Sequence, residues 1–143
     1  MIQHRRPNGF TLIELMLVVI IISILTATVM PRLAGRTEQA RVAAARTDIE
    51  VNISSGLDLF EFDNGVYPTT EDGLSALLAK PVSAANWNGP YLKRKPVDPW
   101  GNDYVYKSPG THNVDYDLYS YGRNGVEGGD DDIVNWDQTT IAE

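Results

Sequence analysis

The stretch from Phe10 to Met30 is 21 residues long, and polar side chains interrupt it only at Thr11, Glu14, Ser23, Thr26 and Thr28. As a helix it would span roughly 30 Å, the thickness of bilayer hydrocarbon. Arg5 and Arg6 precede it. Positive flanks stay on the cytoplasmic side, so the segment is expected to lie N-in and C-out. A cleaved secretory signal would have a shorter apolar core followed by a small-residue cut site. Here Val29-Met30-Pro31-Arg32 follows instead.

Glu14 does not suit a plain anchor. An ionisable residue in a membrane segment is costly and points by default to function. Glu14 lies one turn from the start, which lowers the cost but gives an anchor nothing. A buried carboxylate becomes tolerable with a cationic partner. No Lys or Arg lies between Phe10 and Met30. The nearby candidate is a new α-amino group, created if the chain is cut between Gly9 and Phe10.

Gly9-Phe10-Thr11-Leu12-Ile13-Glu14 resembles the processing motif of type IV pilins and pseudopilins. The resemblance implies that a prepilin peptidase removes residues 1–9 as a cytoplasmic leader and N-methylates Phe10. It also implies that Glu14 meets the terminal amine of a neighbouring subunit during assembly. Residues 10–30 would then be the transmembrane and assembly segment, and residues 31–143 a periplasmic domain.

Beyond the apolar segment the soluble remainder is small for a self-sufficient core, and such domains often need a metal, disulfides or assembly. The chain has no cysteine, which removes one of these devices. Its net charge is −7, and from Val97 onward ten acidic residues face two basic ones. Phosphate binding needs Lys and Arg, so nucleic acid is a poor partner. A hard cation suits the surface, and so does solubility alone.

Val42, Ile49, Ile53, Leu57 and Phe60 recur on one helical face. With Asn64-Gly65 as a stop, one helix is expected from Phe10 to about Asp63, with a kink or local melt at Pro31. Thr70 is expected to cap a short helix, Glu71 to Ala79. Strands are expected at Tyr104–Tyr106 and Tyr116–Tyr121, joined by a hairpin whose turn end is Ser108-Pro109-Gly110. His112 falls in that turn, where a surface position without a partner is expected. Trp100 is expected to pack into a core.

YPTTEDGLSALL, GPYLKRKPVDPWGNDYVY and YGRNGVEGGDDDIVNW resemble the major pseudopilins of type II secretion systems, from Gly9 to about Trp136. The fold this implies is α+β and type IV pilin-like. A long N-terminal helix packs against a small antiparallel β-sheet, and a metal-binding loop lies near the C-terminus.

Tyr121 to Asp132 is rich in oxygen donors and glycine. Three consecutive carboxylates either splay into water or are drawn inward by a cation, and calcium accepts carboxylate, amide and carbonyl oxygens in flexible geometry. Composition leaves both readings open. The resemblance favours calcium, with side-chain ligands Asn124, Asp131 and Asp132 and backbone carbonyls from Tyr121 and Val126. Asn124 stands where that family often has Asp, which costs one negative charge and should weaken binding. Asp130 is expected to face solvent. With no Cys and two His, transition metals are poorly served.

No nucleophile–base pair or phosphate loop stands out, and no catalytic residue is assigned. The resemblance implies a structural subunit held in a bacterial inner membrane by a single pass. It would polymerise into a periplasmic pseudopilus that helps export folded proteins across the outer membrane. Its partners would be identical subunits, minor pseudopilins, the inner-membrane assembly platform and the prepilin peptidase. A type IV major pilin is the near alternative, and a membrane-anchored, calcium-dependent periplasmic hydrolase the distant one.

Overall fold

The computed structural model describes residues 9–137, with the side chains of 28–34 left out of the description. Residues 1–8 of the expected leader 1–9, Arg5 and Arg6 among them, lie outside the described residues. The chain divides into two compact units, Met1–Gln39 and Ala40–Glu143.

In the first unit, helix α1 (Leu12–Thr47) begins. Thr11 caps it: its hydroxyl accepts the Glu14 N–H at 3.2 Å, which satisfies one of the unpaired donors of a helix start. Thr11-x-x-Glu14 is the pattern of a capping box, a local signal that the sequence reading passed over. Ser23 donates to the Val19 carbonyl at 2.7 Å and Thr26 to that of Ile22 at 2.8 Å. These polar interruptions are therefore satisfied within the helix. Leu12, Ile13, Leu15, Ile21 and Leu25 are all exposed, so the described apolar stretch is covered on no side. Among the described residues no helix is long and apolar enough to cross a membrane. The helix runs through Pro31 without a break, so the expected local melt is not seen.

The second unit starts within α1, continues through a π-helical segment (Asp48–Ile53) and ends its helical part with α2 (Ser54–Asn64). Ala45, Ile49, Ile53, Leu57 and Phe60 are buried, and Val42 packs against them. The first four are spaced by four residues, and at 3.6 residues per turn such a series drifts around an α-helix. The wider π turn takes up the drift and keeps the four on one face. Ser54 donates across it to the Ile49 carbonyl at 2.5 Å. Gly65, at φ 79°, ends α2 with its N–H on the Glu61 carbonyl, a left-handed stop that a Cβ would strain.

The segment expected to be a helix from Glu71 to Ala79 is a 3₁₀ turn, Gly73–Leu77. Thr69, rather than Thr70, exchanges hydrogen bonds with Asp72. Thr70 instead donates to the Ser108 carbonyl and accepts the Ser108 N–H, which fixes this loop to the hairpin. Strands β1 (Val105–Lys107), β2 (Asp117–Ser120) and β3 (Ile133–Val134) form one antiparallel sheet in that order. Tyr106 pairs with Leu118, and Ser120 with Ile133. The first two strands fall where expected, one residue off at the edges, and the third was not anticipated. Leu118, Tyr106 and Ile133 meet the helix stripe and Leu77 in one core, with Trp100 packed at its margin. Tyrosine hydroxyls join the layers: Tyr104 donates to Asp48 at 3.0 Å and Tyr116 to Ser54 at 3.1 Å. Burial, then the neighbouring Asp48 carboxylate, pushes the Tyr104 phenol well above its ordinary value.

Candidate metal centre and assembly segment

The loop after β2 is anchored before it begins. Asp98 is buried and accepts the N–H groups of Trp100 at 3.0 Å and Asn102 at 2.8 Å. This Asx turn gives the Asp-Pro-Trp-Gly-Asn cluster its shape. The other carboxylate oxygen accepts the Ser120 hydroxyl at 2.6 Å, and that hydroxyl accepts the Gly122 N–H at 3.0 Å. A Cβ on Gly122 would lie 2.1 Å from the Asp131 carbonyl oxygen, so only glycine lets the two ends of the loop close.

Within the loop, Asp131 accepts the Asn124 backbone N–H at 2.9 Å and the Asn124 side-chain amide at 2.7 Å. The Asn124 side-chain oxygen accepts the Val126 N–H at 2.7 Å. Asp132 accepts the Gly128 N–H at 2.9 Å through one oxygen. Its other oxygen is buried and has no hydrogen-bond partner. Asp130 and Val126 are exposed, while Tyr121 is half-buried with its ring edge-on to Tyr119. The three side chains expected as ligands thus belong to one loop-closing set, and Asp130 points outward as expected. Among the described residues no group of three or more His, Cys, Asp or Glu side chains is placed to hold a metal. Two carboxylates and one amide of this loop nevertheless offer oxygens of the kind calcium takes. An unpartnered buried carboxylate oxygen costs free energy that a cation would offset.

A second carboxylate holds the neighbouring loop, and sequence reasoning missed it. Asp117 is 1 % exposed. It accepts the N–H groups of Thr111 at 2.7 Å, His112 at 3.1 Å and Asn113 at 2.9 Å, and the Thr111 hydroxyl at 2.7 Å. His112 is not without partners, contrary to expectation. Its Nδ1 lies 3.0 Å from Asp117, and its ring stacks on Trp136 at 4.0 Å. Burial would raise the Asp117 pKa, but the hydrogen bonds from Asn113, Thr111 and His112 prevail and hold it well below its ordinary value of 3.8. The unfolded chain therefore takes up this proton first as the pH falls. The stabilisation is full above about pH 4 and is lost progressively at lower pH. Asp117→Ala is expected to cost about 3 kcal/mol at neutral pH by leaving buried donors unmatched. Asp117→Asn should flatten the acid limb of stability. Thermal melts across pH check both, and an unchanged acid limb would count against the assignment.

At the other end of the chain, Gly9 and Phe10 precede α1 without helical structure, and both are exposed. Nothing lies within 4 Å of where a Gly9 Cβ would be. Glu14 sits in the first turn of α1. It forms no salt bridge among the described residues.

Comparison with known proteins covers both regions. The family model for type II secretion system protein G matches residues 32–136, and the prokaryotic N-terminal methylation motif matches residues 4–30. The type II secretion system core protein G of Pseudomonas aeruginosa is 50% identical over 142 residues, covering 94% of this chain and 99% of its own. That of Vibrio cholerae is 46% identical over 140 residues, with 94% of each chain covered. The crystal structure of the major pseudopilin from the type 2 secretion system of enterohaemorrhagic Escherichia coli matches with a TM-score of 0.65. It is 41% identical over 73% of this chain and 89% of its own.

Proposed function

The chain belongs to the type II secretion system protein G family, and from that premise we propose that it is a structural subunit of the type II secretion pseudopilus. The carrying observation is the secretion-family match over residues 32–136 continuous with a methylation motif over residues 4–30. A type IV major pilin would account for the motif alone. The family is one of structural subunits, and no catalytic role is assigned here.

In this reading the chain is made as an inner-membrane precursor, N-in, with its C-terminal unit in the periplasm. The prepilin peptidase cuts after Gly9, whose exposed setting leaves the bond accessible, and methylates Phe10. The apolar stretch from Phe10 then serves first as anchor and next as the segment through which subunits polymerise. Minor pseudopilins and the assembly platform would be its other partners. The structural support for an assembly role is the exposed, uncovered apolar side of α1.

Calcium would be held by Asn124, Asp131 and Asp132 with the Tyr121 and Val126 carbonyls. When bound, the ion supplies positive charge that offsets the run of carboxylates. The residues themselves hold the loop: Asp131 ties Asn124, Asp132 ties Gly128, and Ser120 with Asp98 fixes Gly122.

The mass of the membrane-extracted protein tests processing. It should lack the first nine residues and carry one added methyl. Gly9→Leu should leave the precursor full-length, because the bulkier side chain occupies the cut position. A mature, methylated Phe10 terminus in that variant would contradict the processing assignment.

A further inference from the structure

Beyond the expected leader the chain holds three Asn-Gly pairs, Asn64-Gly65, Asn88-Gly89 and Asn124-Gly125. In such a pair the glycine nitrogen can attack the Asn side-chain amide, because glycine has no Cβ to shield it and turns freely. The fold treats the three pairs differently. Asn64 is half-buried in α2, and the Gly65 N–H is held by the Glu61 carbonyl at 2.6 Å. Asn88 is exposed, but Gly89 is packed between rings: a Cβ there would lie 2.6 Å from Trp87 and 2.9 Å from Tyr91. Asn124 and Gly125 are both exposed, in a loop without regular structure. Gly125 has φ 68°, and the nearest atom to a Cβ there is 3.5 Å away, on Asn102. Its N–H donates to no acceptor among the described residues. The Val126 N–H donates to the Asn124 Oδ1 at 2.7 Å. That bond folds the side chain forward over the Gly125 peptide, and a donor on Oδ1 polarises the carbon to be attacked.

We propose that Asn124-Gly125 is a self-modification site, where Asn124 deamidates and the loop comes to depend on a divalent cation. The Gly125 nitrogen attacks the Asn124 Cγ. The new C–N bond replaces the bond to Nδ2, which leaves as ammonia with the Gly125 amide proton. Water then opens the cyclic imide at either carbonyl, giving Asp or its β-linked isomer. Water is the one co-reactant. The same geometry sets the consequence. The Asn124 Nδ2 now donates to Asp131 at 2.7 Å. A carboxylate in its place is ionised at neutral pH and has no hydrogen to give, and it meets Asp131 as a like charge. Without a cation the loop loses this tie. With calcium it offers one more charged oxygen. The modification stands on the loop geometry alone, whereas the dependence on a cation rests on the reading of this loop as a calcium site.

The experiment holds the full chain, extracted in detergent, at mildly alkaline pH with chelator and follows its peptides by mass. The Asn124 peptide should gain the mass of an amide-to-acid exchange and split into two isomers. In the folded chain it should convert about tenfold faster than the Asn64 peptide, whose capping hydrogen bond must open first. In denaturant the two rates should converge. Calcium alone, added to the folded chain, should slow the Asn124 reaction by holding the side-chain oxygen. Asn124→Asp should melt lower than the parent with chelator and gain more than the parent on addition of calcium. An Asn124 peptide that converts no faster than the Asn64 peptide in the folded chain would overturn the modification. A melt of Asn124→Asp equal to that of the parent in chelator would overturn its consequence for the loop. If the Asn124 peptide converts but neither chain responds to calcium, the calcium reading falls and the modification stands.

Discussion

Glu14→Ala is expected to leave the chain in the membrane fraction and to abolish fibres. Removing a carboxylate from an apolar helix makes insertion easier, since a charge at the centre of such a helix costs about 2.5–3.5 kcal/mol on insertion scales. Assembly is different. In the fibre Glu14 would face the α-amino group that the cut after Gly9 creates on a neighbouring Phe10. Loss of one partner then leaves the other cation in apolar surroundings, at a cost of about 3–5 kcal/mol per subunit for a buried pair. A polymer repeats that loss at every step.

The structure also supplies a competing role. Thr11 caps α1 through the Glu14 N–H, and Glu at this position fits the sequence pattern of a capping box. The two roles separate with Glu14→Gln, because glutamine serves a capping box equally well and carries no charge. If the ion pair matters, Glu14→Gln fails to assemble just as Glu14→Ala does. If the cap matters, Glu14→Gln assembles normally. Fibre yield after shearing, compared with the amount in membranes, distinguishes them, and normal fibres from Glu14→Gln would sink the ion-pair idea.

The parts of the fold that were legible are those where a local pattern suffices. The buried series from Val42 to Phe60 follows directly from helical spacing, and Gly65 follows from the need for a left-handed stop. The hairpin was legible because its strands are adjacent in sequence and rich in aromatic residues. The π turn was missed although the run of four-residue spacings from Ala45 to Leu57 contains its cause. Strand β3 was missed because Ile133-Val134 is two residues long and exists only by pairing with Tyr119 and Ser120. Asp117 and Asp98 stood out in the sequence only among the ten acidic residues from Val97 onward. Their burial depends on donors brought from elsewhere in the fold: the 111–113 turn for one and Ser120 for the other. The loop from Tyr121 to Asp132 was legible as an oxygen-rich site. The buried, unpartnered oxygen of Asp132 could be seen only once the chain was folded.

That oxygen shapes the calcium prediction. At a calcium concentration about a hundred times the Kd, binding to the folded form alone adds about 2.7 kcal/mol. At about 4–8 °C per kcal/mol for a domain of this size, a chelator is expected to lower the melting temperature by roughly 10–20 °C. Asp131→Ala should erase the calcium response, but it also frees the Asn124 amides that Asp131 accepts, so its calcium-free form should melt lower than the parent. Asp132→Asn separates site from scaffold. It removes the charge that has no partner in the calcium-free loop, and its remaining oxygen can still accept the Gly128 N–H. With chelator present it should melt no lower than the parent, and on addition of calcium it should gain little or nothing. Asp130→Ala, on an exposed side chain, should respond like the parent. A parent chain whose melt ignores the chelator would exclude the site. A full calcium response in Asp132→Asn would show instead that the ion is held elsewhere and that the buried oxygen plays no part in holding it.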